Sequence, residues 1–166
     1  MIELRTNRLT LTPFSREDED TLHALFTHRY VRKYLWDDQI ISKEVVADML
    51  LKNEEHFLRD RWGLWKVLSA NGDLVGFVGL WIFFDESQPQ LLYGLLPDFE
   101  GIGYATEASK AIMDYAFETL RFKYLIAAMD TPHMPSQKVA MRIGMSKFKE
   151  TTEDGKPTVF YKIDAP

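Results

Sequence analysis

The chain has 166 residues, of which 46% are hydrophobic, carries a net charge of −5 and contains no cysteine. That length and composition fit one domain over residues 1–166 with a sizeable core, and the missing cysteine excludes disulfides, thiol nucleophiles and thiolate metal sites. The acidic balance and scattered basic residues argue against a general nucleic-acid partner. The longest apolar run, residues 75–84, is too short to span a bilayer and no leader-like segment opens the chain. We therefore expect a soluble, cytoplasmic protein without a membrane partner.

The first third of the chain combines strand and helix signals. Residues 4–13 alternate as a strand does. Ser15 and the acidic residues after it predict a helix through about residue 28. A second helix is predicted over residues 42–61, with apolar side chains at helical spacing. The aromatic segment between these helices, residues 30–36, has no assigned element.

The middle of the chain predicts an antiparallel meander. Strands over residues 62–68 and 74–83 flank Asn71-Gly72, a strong hairpin signal. A third strand, residues 90–96, follows a polar turn at residues 85–89.

Residues 101–120 combine a glycine turn with an amphipathic helix. Gly101 and Gly103 carry no side chain to block a ligand and can adopt positive φ. The first turn of the helix has backbone N–H groups without intrahelical partners, and the helix dipole adds positive charge there. Residues 101–106, which we call the cradle, are therefore predicted to bind an anion such as a phosphate.

The glycine pair alone also fits a turn in which glycine serves only the backbone shape. A dinucleotide fingerprint needs a third glycine where Thr106 stands, and the chain has no Gly-Lys-Ser/Thr tripeptide. What the pattern predicts is a phosphate site without a lysine or a metal.

The last third of the chain predicts a strand over residues 123–129, a short helix over residues 136–143 ended by Gly144, and two strands near residues 145–149 and 157–163. Taken together, the elements indicate an α+β (mixed α/β) fold. Its central sheet is mostly antiparallel and has helices on both faces.

Residues 101–108, Gly-Ile-Gly-Tyr-Ala-Thr-Glu-Ala, resemble the acetyl-CoA-binding segment of the GCN5-related N-acetyltransferases (GNAT), in particular the branch with the ribosomal-protein alanine acetyltransferases. The family pattern Gln/Arg-x-x-Gly-x-Gly/Ala begins here at Glu100. This departure implies either a weaker affinity or a Glu100 side chain turned outward. Residues 4–13, 90–97 and 130–145 are also similar to family segments, in the required order.

The resemblance implies that the strand carrying Tyr93 and the next, parallel strand splay apart around the pantetheine arm of acetyl-CoA. Backbone groups of Leu95 and Leu96 would pair with the pantetheine amides, although both leucines also suit a core. His133 replaces an asparagine that contacts pantetheine, and is equally compatible with a surface histidine without a role. The diphosphate would lie on residues 101–106. Besides Leu95, Leu96 and His133, the implied cofactor-binding residues are Glu100, Gly101, Ile102, Gly103, Tyr104, Ala105, Thr106 and Ser136.

The catalytic residues are less determined. Ser136 matches a serine proposed in that branch to reprotonate the CoA thiolate, but a helix cap explains it as well. The common tyrosine acid is replaced by Ala140, which leaves Tyr93 and Tyr161 as reserves that also fit packed strand positions. Gln90 stands where the family carries a glutamate. The candidate bases are Asp38, Asp85 and Glu86, each of which also fits a solvated loop charge.

The leading interpretation is an acetyl-CoA-dependent N-acetyltransferase that needs no metal. A primary amine, belonging to a protein N-terminus or to a small molecule, would attack the thioester directly. The protein would be a monomer or a homodimer. A non-catalytic acyl-CoA-binding protein and a phosphate-binding or structural module are the alternatives. The aromatic residues that would wall the acceptor site, or belong to the core instead, are Tyr30, Tyr34, Trp36, Trp62 and Trp81.

Overall fold

The fold is known from a computed structural model, which describes residues 2–83 and 86–166. Its strands are β1 (Leu4–Arg5), β2 (Leu9–Pro13), β3 (Leu64–Ser69), β4 (Leu74–Trp81), β5 (Gln90–Leu95), β6 (Tyr124–Asp130), β7 (Ser146–Glu153) and β8 (Lys156–Asp164). Its helices are α1 (Glu19–Thr27), α2 (Arg29–Leu35), α3 (Lys43–Asp60), α4 (Tyr104–Glu118) and α5 (Met134–Arg142).

All eight strands form one sheet in the order β1-β2-β3-β4-β5-β6-β8-β7. Neighbouring strands are antiparallel except β5 and β6, which are parallel. Their register is a single pair, Leu91 opposite Ala127, so within the described residues the two strands diverge towards their carboxyl ends. The predicted mostly antiparallel sheet with one splayed parallel pair is confirmed.

Helices cover both faces of the sheet, because successive apolar side chains along its strands point to opposite faces. On β4, Val78 faces a core that includes Ile112 and Ala116 of α4. Its neighbour Phe77 faces the other core, with Phe26 of α1 and Leu50 of α3. The prediction of helices on both faces is confirmed, and the meander β3-β4-β5 forms as the Asn-Gly signal indicated.

The first predicted strand is two strands joined by a tight turn. The backbone N–H of Thr6 donates to the Leu9 carbonyl at 2.9 Å, and the Leu9 N–H donates to the Thr6 hydroxyl at 3.1 Å. This turn folds β1 onto β2, with Leu4 opposite Leu11. The polar run Thr6-Asn7-Arg8, which interrupts the alternation between Leu4 and Leu9, marks this turn in the sequence.

The aromatic segment that had no assigned element is helical. His28 ends α1 with an extended ψ of 129°, and its Nδ1 accepts a hydrogen bond from the Tyr30 N–H, which caps α2. Asp37 and Asp38 follow α2 with positive φ values of 53° and 62°. The segment was missed because its start is set by a histidine cap and not by the usual Ser, Thr or Asp.

The C-terminal elements extend beyond their predicted bounds. Helix α5 begins at Met134, two residues before the predicted start. Strands β7 and β8 continue to a tight turn at Asp154 and Gly155, whose φ values of 51° and 76° are those of a two-residue hairpin loop. Asp-Gly is the signal that identifies this hairpin in the sequence.

Candidate active site

A cleft of about 560 Å³ opens where β5 and β6 diverge. It is walled by the two strands, by the loop before α4, by α5 and, on the outer side, by α2. The residues that line it include Tyr30, Tyr34, Tyr93, Leu95, Glu100, Gly101, Gly103, Tyr104, Ala105, Thr106, His133, Ser136, Lys138 and Arg142. Most of the residues predicted to bind the cofactor are thereby brought to one cavity.

The cradle forms one end of this cleft. Gly101 and Gly103 have φ values of 78° and 86°, in the region that favours glycine. The first backbone bond into α4 runs from the Glu107 N–H to the Gly103 carbonyl at 3.0 Å. None of the N–H groups of residues 101–106 donates to another described residue. The cradle therefore presents unpartnered donors at the positive end of a 15-residue helix.

Arg8 supports the cradle from the N-terminal hairpin. Its Nη1 donates to the Ile102 carbonyl at 2.8 Å, its Nε lies 3.3 Å from Glu107 Oε1, and its guanidinium lies 4.6 Å from the centroid of the Tyr104 ring. The Thr6 hydroxyl donates to the other Glu107 oxygen at 3.1 Å. Sequence analysis missed this role because nearly 100 residues separate these partners, and only the resemblance of residues 4–13 to the family pointed to that segment.

Glu100 lies at the rim of the cradle, and its side chain is directed towards α2. The Tyr30 hydroxyl donates a hydrogen bond to the Glu100 carboxylate. Burial raises the pKa of Tyr30 to about 12, and the bond to Glu100 acts in the same direction. Tyr30 therefore keeps its proton and remains a donor at neutral pH.

The backbone of β5 faces the gap at Leu95. The Leu96 N–H donates to the Val75 carbonyl of β4 at 2.9 Å. Because bonding directions alternate along an antiparallel strand, the N–H and C=O of Leu95 point to the β6 side, beyond the Leu91 pairing. The Leu96 side chain packs in the core beneath α1–α3. Of the two leucines, Leu95 thus offers the free backbone groups.

Tyr93 and Ser136, the two predicted catalytic residues, are in contact. The Tyr93 hydroxyl donates to the Ser136 carbonyl at 2.7 Å, which ties β5 to the first turn of α5. Burial raises the pKa of Tyr93 to about 12, against smaller opposing effects of the Ser136 side chain and the Ala140 backbone. Ser136 is 9% exposed, on the cleft wall.

Tyr161, the other tyrosine kept as a reserve acid, belongs to the core. The Tyr161 hydroxyl donates to Gln137 Oε1 at 2.7 Å, and Gln137 Nε2 donates to the Thr131 carbonyl at 2.6 Å. Ala140 is fully buried beside them.

His133 stacks on Tyr34 of α2, with ring centroids 3.9 Å apart and planes 2° from parallel. Burial lowers the pKa of His133 to about 4, and the charge of Lys33 adds to the effect. The imidazole is therefore neutral near pH 7 and has one donor and one acceptor nitrogen. Together the Tyr30 and Tyr34 contacts place α2 across the cleft from one rim to the other.

The remaining candidates lie away from the described lining of the cleft. Trp36 packs on Phe26, with centroids 5.6 Å apart. Trp62 stacks on His56 at 4.1 Å, and Trp81 meets the same imidazole edge-on.

Of the candidate bases, neither Asp38 nor Glu86 belongs to the described lining of the cleft. Asp38 forms an ion pair with Arg32 at 3.0 Å, and Glu86 is absent from the lining as far as the structure describes it. Asp85 lies outside the described residues.

Of the residues predicted to bind the cofactor, Ile102 turns its half-exposed side chain outward.

The described residues contain neither a candidate metal site nor a candidate membrane span. No group of three or more His, Asp or Glu side chains there is placed to hold a metal ion. Nor is any helix in that part of the chain long and apolar enough to cross a membrane.

Comparison with known proteins identifies the family. The family model for an acetyltransferase (GNAT) domain matches residues 8–146. The uncharacterized N-acetyltransferase YnaD of Bacillus subtilis is 24% identical over 147 residues, which is 88% of this chain and 84% of that protein.

Two solved structures show the same fold. The ribosomal-protein-S5-alanine acetyltransferase of Vibrio fischeri has a TM-score of 0.82 at 16% identity and covers 99% of this chain and 97% of its own. The spermidine N-acetyltransferase of Vibrio cholerae, in complex with CoA and spermine, has a TM-score of 0.79 at 18% identity, with 96% of both chains covered. Since the family model matches most of the chain, the protein belongs to the GNAT acetyltransferases and is an N-acetyltransferase that transfers an acetyl group to an amine.

Proposed function

We propose that the cleft binds acetyl-CoA as cosubstrate, with the diphosphate on the cradle and the pantetheine arm between β5 and β6, and that the acceptor is a primary amine. The observation that carries this proposal is the row of unpartnered N–H groups of residues 101–106 at the head of the gap. Such donors at a helix N-terminus suit phosphate oxygens, with no need for a lysine or a metal.

The backbone of Leu95 supports the placement of the pantetheine. Its N–H and C=O face the gap, where an extended amide chain can pair with them as an added strand would. His133 lies across the gap, neutral, and can offer one hydrogen bond to the same arm. Acetyl-CoA supplies a thioester as the electrophile.

In the proposed reaction the neutral amine forms a C–N bond to the acetyl carbon and loses one proton, the C–S bond breaks, and the CoA sulfur takes up one proton, so that the reaction neither consumes nor releases protons overall. Ser136 lies on the cleft wall and is our candidate for delivering that proton. The Tyr93 hydroxyl donates to the Ser136 carbonyl. We therefore assign Tyr93 the role of positioning Ser136, and not that of the acid. Holding both reactants in one cleft makes the attack effectively unimolecular, which can lower the barrier by about 7–11 kcal/mol.

The acceptor is proposed to approach under α2, along the aromatic wall of Tyr30 and Tyr34. Aromatic faces attract protonated amines, the form in which the acceptor arrives, through the cation–π effect, and they pack well on apolar side chains. A polyamine and a protein N-terminus both fit this description, as the spermidine and ribosomal-protein acetyltransferases with this fold illustrate. Neither the site nor these relatives favours a non-catalytic binding protein.

Calorimetric titration with acetyl-CoA, CoA and NAD tests the cofactor. We expect binding of both CoA species and not of NAD. Thr106→Glu places a carboxylate in the cradle at a position where a helix N-terminus tolerates an acid, so it should weaken CoA binding at least tenfold (about 1.4 kcal/mol) without unfolding the protein. Thr152→Glu, on the exposed outer strand β7, adds the same charge and should leave binding unchanged.

Absence of CoA binding by the unmodified protein would overturn the proposed function. Unchanged binding in Thr106→Glu would remove the cradle from it. Turnover is then measured with acetyl-CoA against spermidine, spermine and peptides that begin with alanine or serine. The acceptor class is the one that raises the rate of free thiol release above the rate of hydrolysis.

A further inference from the structure

The contact between Tyr30 and Glu100 joins α2 to the rim of the cradle. Glu100 immediately precedes the first glycine of the cradle, and both Glu100 and Tyr30 line the cleft. A carboxylate in this place lies beside the proposed diphosphate, where like charges repel. The position therefore needs an explanation, because the rest of the cradle is suited to an anion.

The structure directs the carboxylate towards α2. Its hydrogen-bond partner is the Tyr30 hydroxyl. In the described part of the chain the Glu100 carboxylate accepts from Tyr30 and from none of the N–H groups of residues 101–106, although these donors are close by in sequence and have no backbone partner. Without Tyr30, the same donors would be the natural partners of the Glu100 carboxylate, which would then compete with a bound anion.

We infer that Tyr30 is a positioning residue that holds the Glu100 carboxylate off the cradle, so that this pair sets the affinity for ligands that carry a diphosphate. The inference rests on the proposed function, since it assumes that CoA phosphates occupy the cradle. It assigns Glu100 a repulsive role and Tyr30 the role of limiting that repulsion. Because CoA and acetyl-CoA share the diphosphate, the pair affects substrate and product equally.

Dissociation constants for CoA and for pantetheine, which lacks the diphosphate, are measured in four proteins: unmodified, Glu100→Gln, Tyr30→Phe and the double variant. Glu100→Gln should tighten CoA about fivefold, the effect of one unit charge at about 4 Å in water. Tyr30→Phe should weaken CoA by a similar factor, because it frees the carboxylate. The double variant should bind CoA as Glu100→Gln does, and the affinity for pantetheine should stay the same in all four proteins.

Asp98→Asn is the matched control. Asp98 is exposed and two residues from Glu100, but lies outside the described lining of the cleft. Its replacement removes the same charge from the same turn and should change CoA affinity less than twofold. The effect of Glu100→Gln should also shrink between low and high salt, because the repulsion is electrostatic.

Equal CoA affinity of the unmodified protein and Glu100→Gln would overturn the inference. The inference would also be overturned if Tyr30→Phe weakened CoA binding by the same factor with glutamate and with glutamine at position 100, or if it weakened pantetheine binding as well. A purely structural tyrosine would behave in that way. In both cases the unmodified protein still binds CoA and the proposed function stands. If the unmodified protein does not bind CoA, the proposed function and the inference both fail.

Discussion

The two sides of the cleft are built differently. The cradle is made of backbone, fixed by two glycines with positive φ and braced by Arg8 at Ile102 and Glu107. Helix α2, which we call the roof, has seven residues, of which only Val31 is buried. It reaches the rest of the cleft through side chains, at Glu100 and His133.

This difference indicates a division of labour. A backbone site braced at both ends is organised before the ligand arrives and loses little entropy on binding. A helix with little buried surface opens at low cost in free energy. The cradle should therefore respond to substitutions as a rigid binding site, and the roof as a movable cover.

The largest effect is expected at the most rigid point of the cradle. Gly103→Ala places a side chain at a φ of 86°, with the new Cβ 3.3 Å from Arg8 Nη2. We expect a loss of about 1–2 kcal/mol in the free energy of unfolding, from backbone strain, and a fall in CoA affinity. Gly155→Ala is the control, because it has a φ of 76° in the β7–β8 turn with open space around it.

Denaturant unfolding and calorimetry check this pair of variants. Both should lose stability, and only Gly103→Ala should lose CoA affinity. A CoA affinity that falls equally in both variants would mean that global stability, and not the shape of the cradle, sets binding.

Loss of the Arg8 brace should be the next largest effect. Arg8→Gln removes the bond to Ile102, the ion pair with Glu107 and the cation–π contact with Tyr104. We expect the free energy of unfolding to fall by about 1 kcal/mol, since the guanidinium is half-exposed, and the affinity for CoA to weaken severalfold. Arg5→Gln on the same hairpin breaks only an exposed pair with Glu3 and should change neither quantity. If the two variants behave alike, Arg8 does not support the cradle.

The sequence predicted the glycine turn and α4 better than the roof, for physical reasons. Glycine spacing and helical periodicity are local, and they located residues 101–106 and α4 directly. The Arg8 contacts depend on the pairing of β1 with β2 and on the docking of the hairpin, which local patterns do not contain. The roof begins with a histidine cap at His28, and its contact residues are two tyrosines that propensity does not distinguish from strand aromatics.

The tryptophans illustrate the same limit. Trp36, Trp62 and Trp81 were as plausible for the acceptor wall as Tyr30 and Tyr34. In the structure each of the three packs on an aromatic neighbour away from the described cleft lining. Which aromatic residue faces a cavity depends on tertiary packing, and composition alone does not decide it.

The stability of the protein should depend on pH through His133, on which Tyr34 of the roof stacks. The unfolded chain protonates this imidazole near its ordinary pKa of 6.5, and the folded chain only near 4. Between these values the unfolded state binds more protons, so stability should rise with pH from about 4 to 6.5 and show no further contribution above that. Tyr34→Leu removes the stacked ring, should cost about 0.5–1 kcal/mol, and should raise the pKa of His133 as water reaches it.

The pKa of His133 is followed by NMR titration of its ring protons in the unmodified protein, in Tyr34→Leu and in Tyr34→Phe, which keeps the stack. The phenylalanine variant should keep the low pKa. Because Tyr34→Leu leaves the Tyr30–Glu100 contact and the Arg8 brace in place, CoA affinity at pH 8 should fall by no more than the severalfold effect of the one hydrogen bond that His133 can offer to pantetheine. A much larger loss would show that roof and cradle act as one unit.

The smallest effect is expected at Asp38, just beyond the roof. Its carboxylate is exposed and pairs with Arg32 at 3.0 Å, and such pairs contribute less than about 1 kcal/mol. Asp38→Asn should change stability by at most about 0.5 kcal/mol and should leave the rate and pH profile of acetyl transfer unchanged, because the group does not line the described cleft. Steady-state kinetics from pH 6 to 9 provide the measurement. A fall in rate in Asp38→Asn together with loss of the limb on which the rate rises with pH would instead identify Asp38 as the group that deprotonates the amine, and would require the roof to bring it into the cleft during turnover.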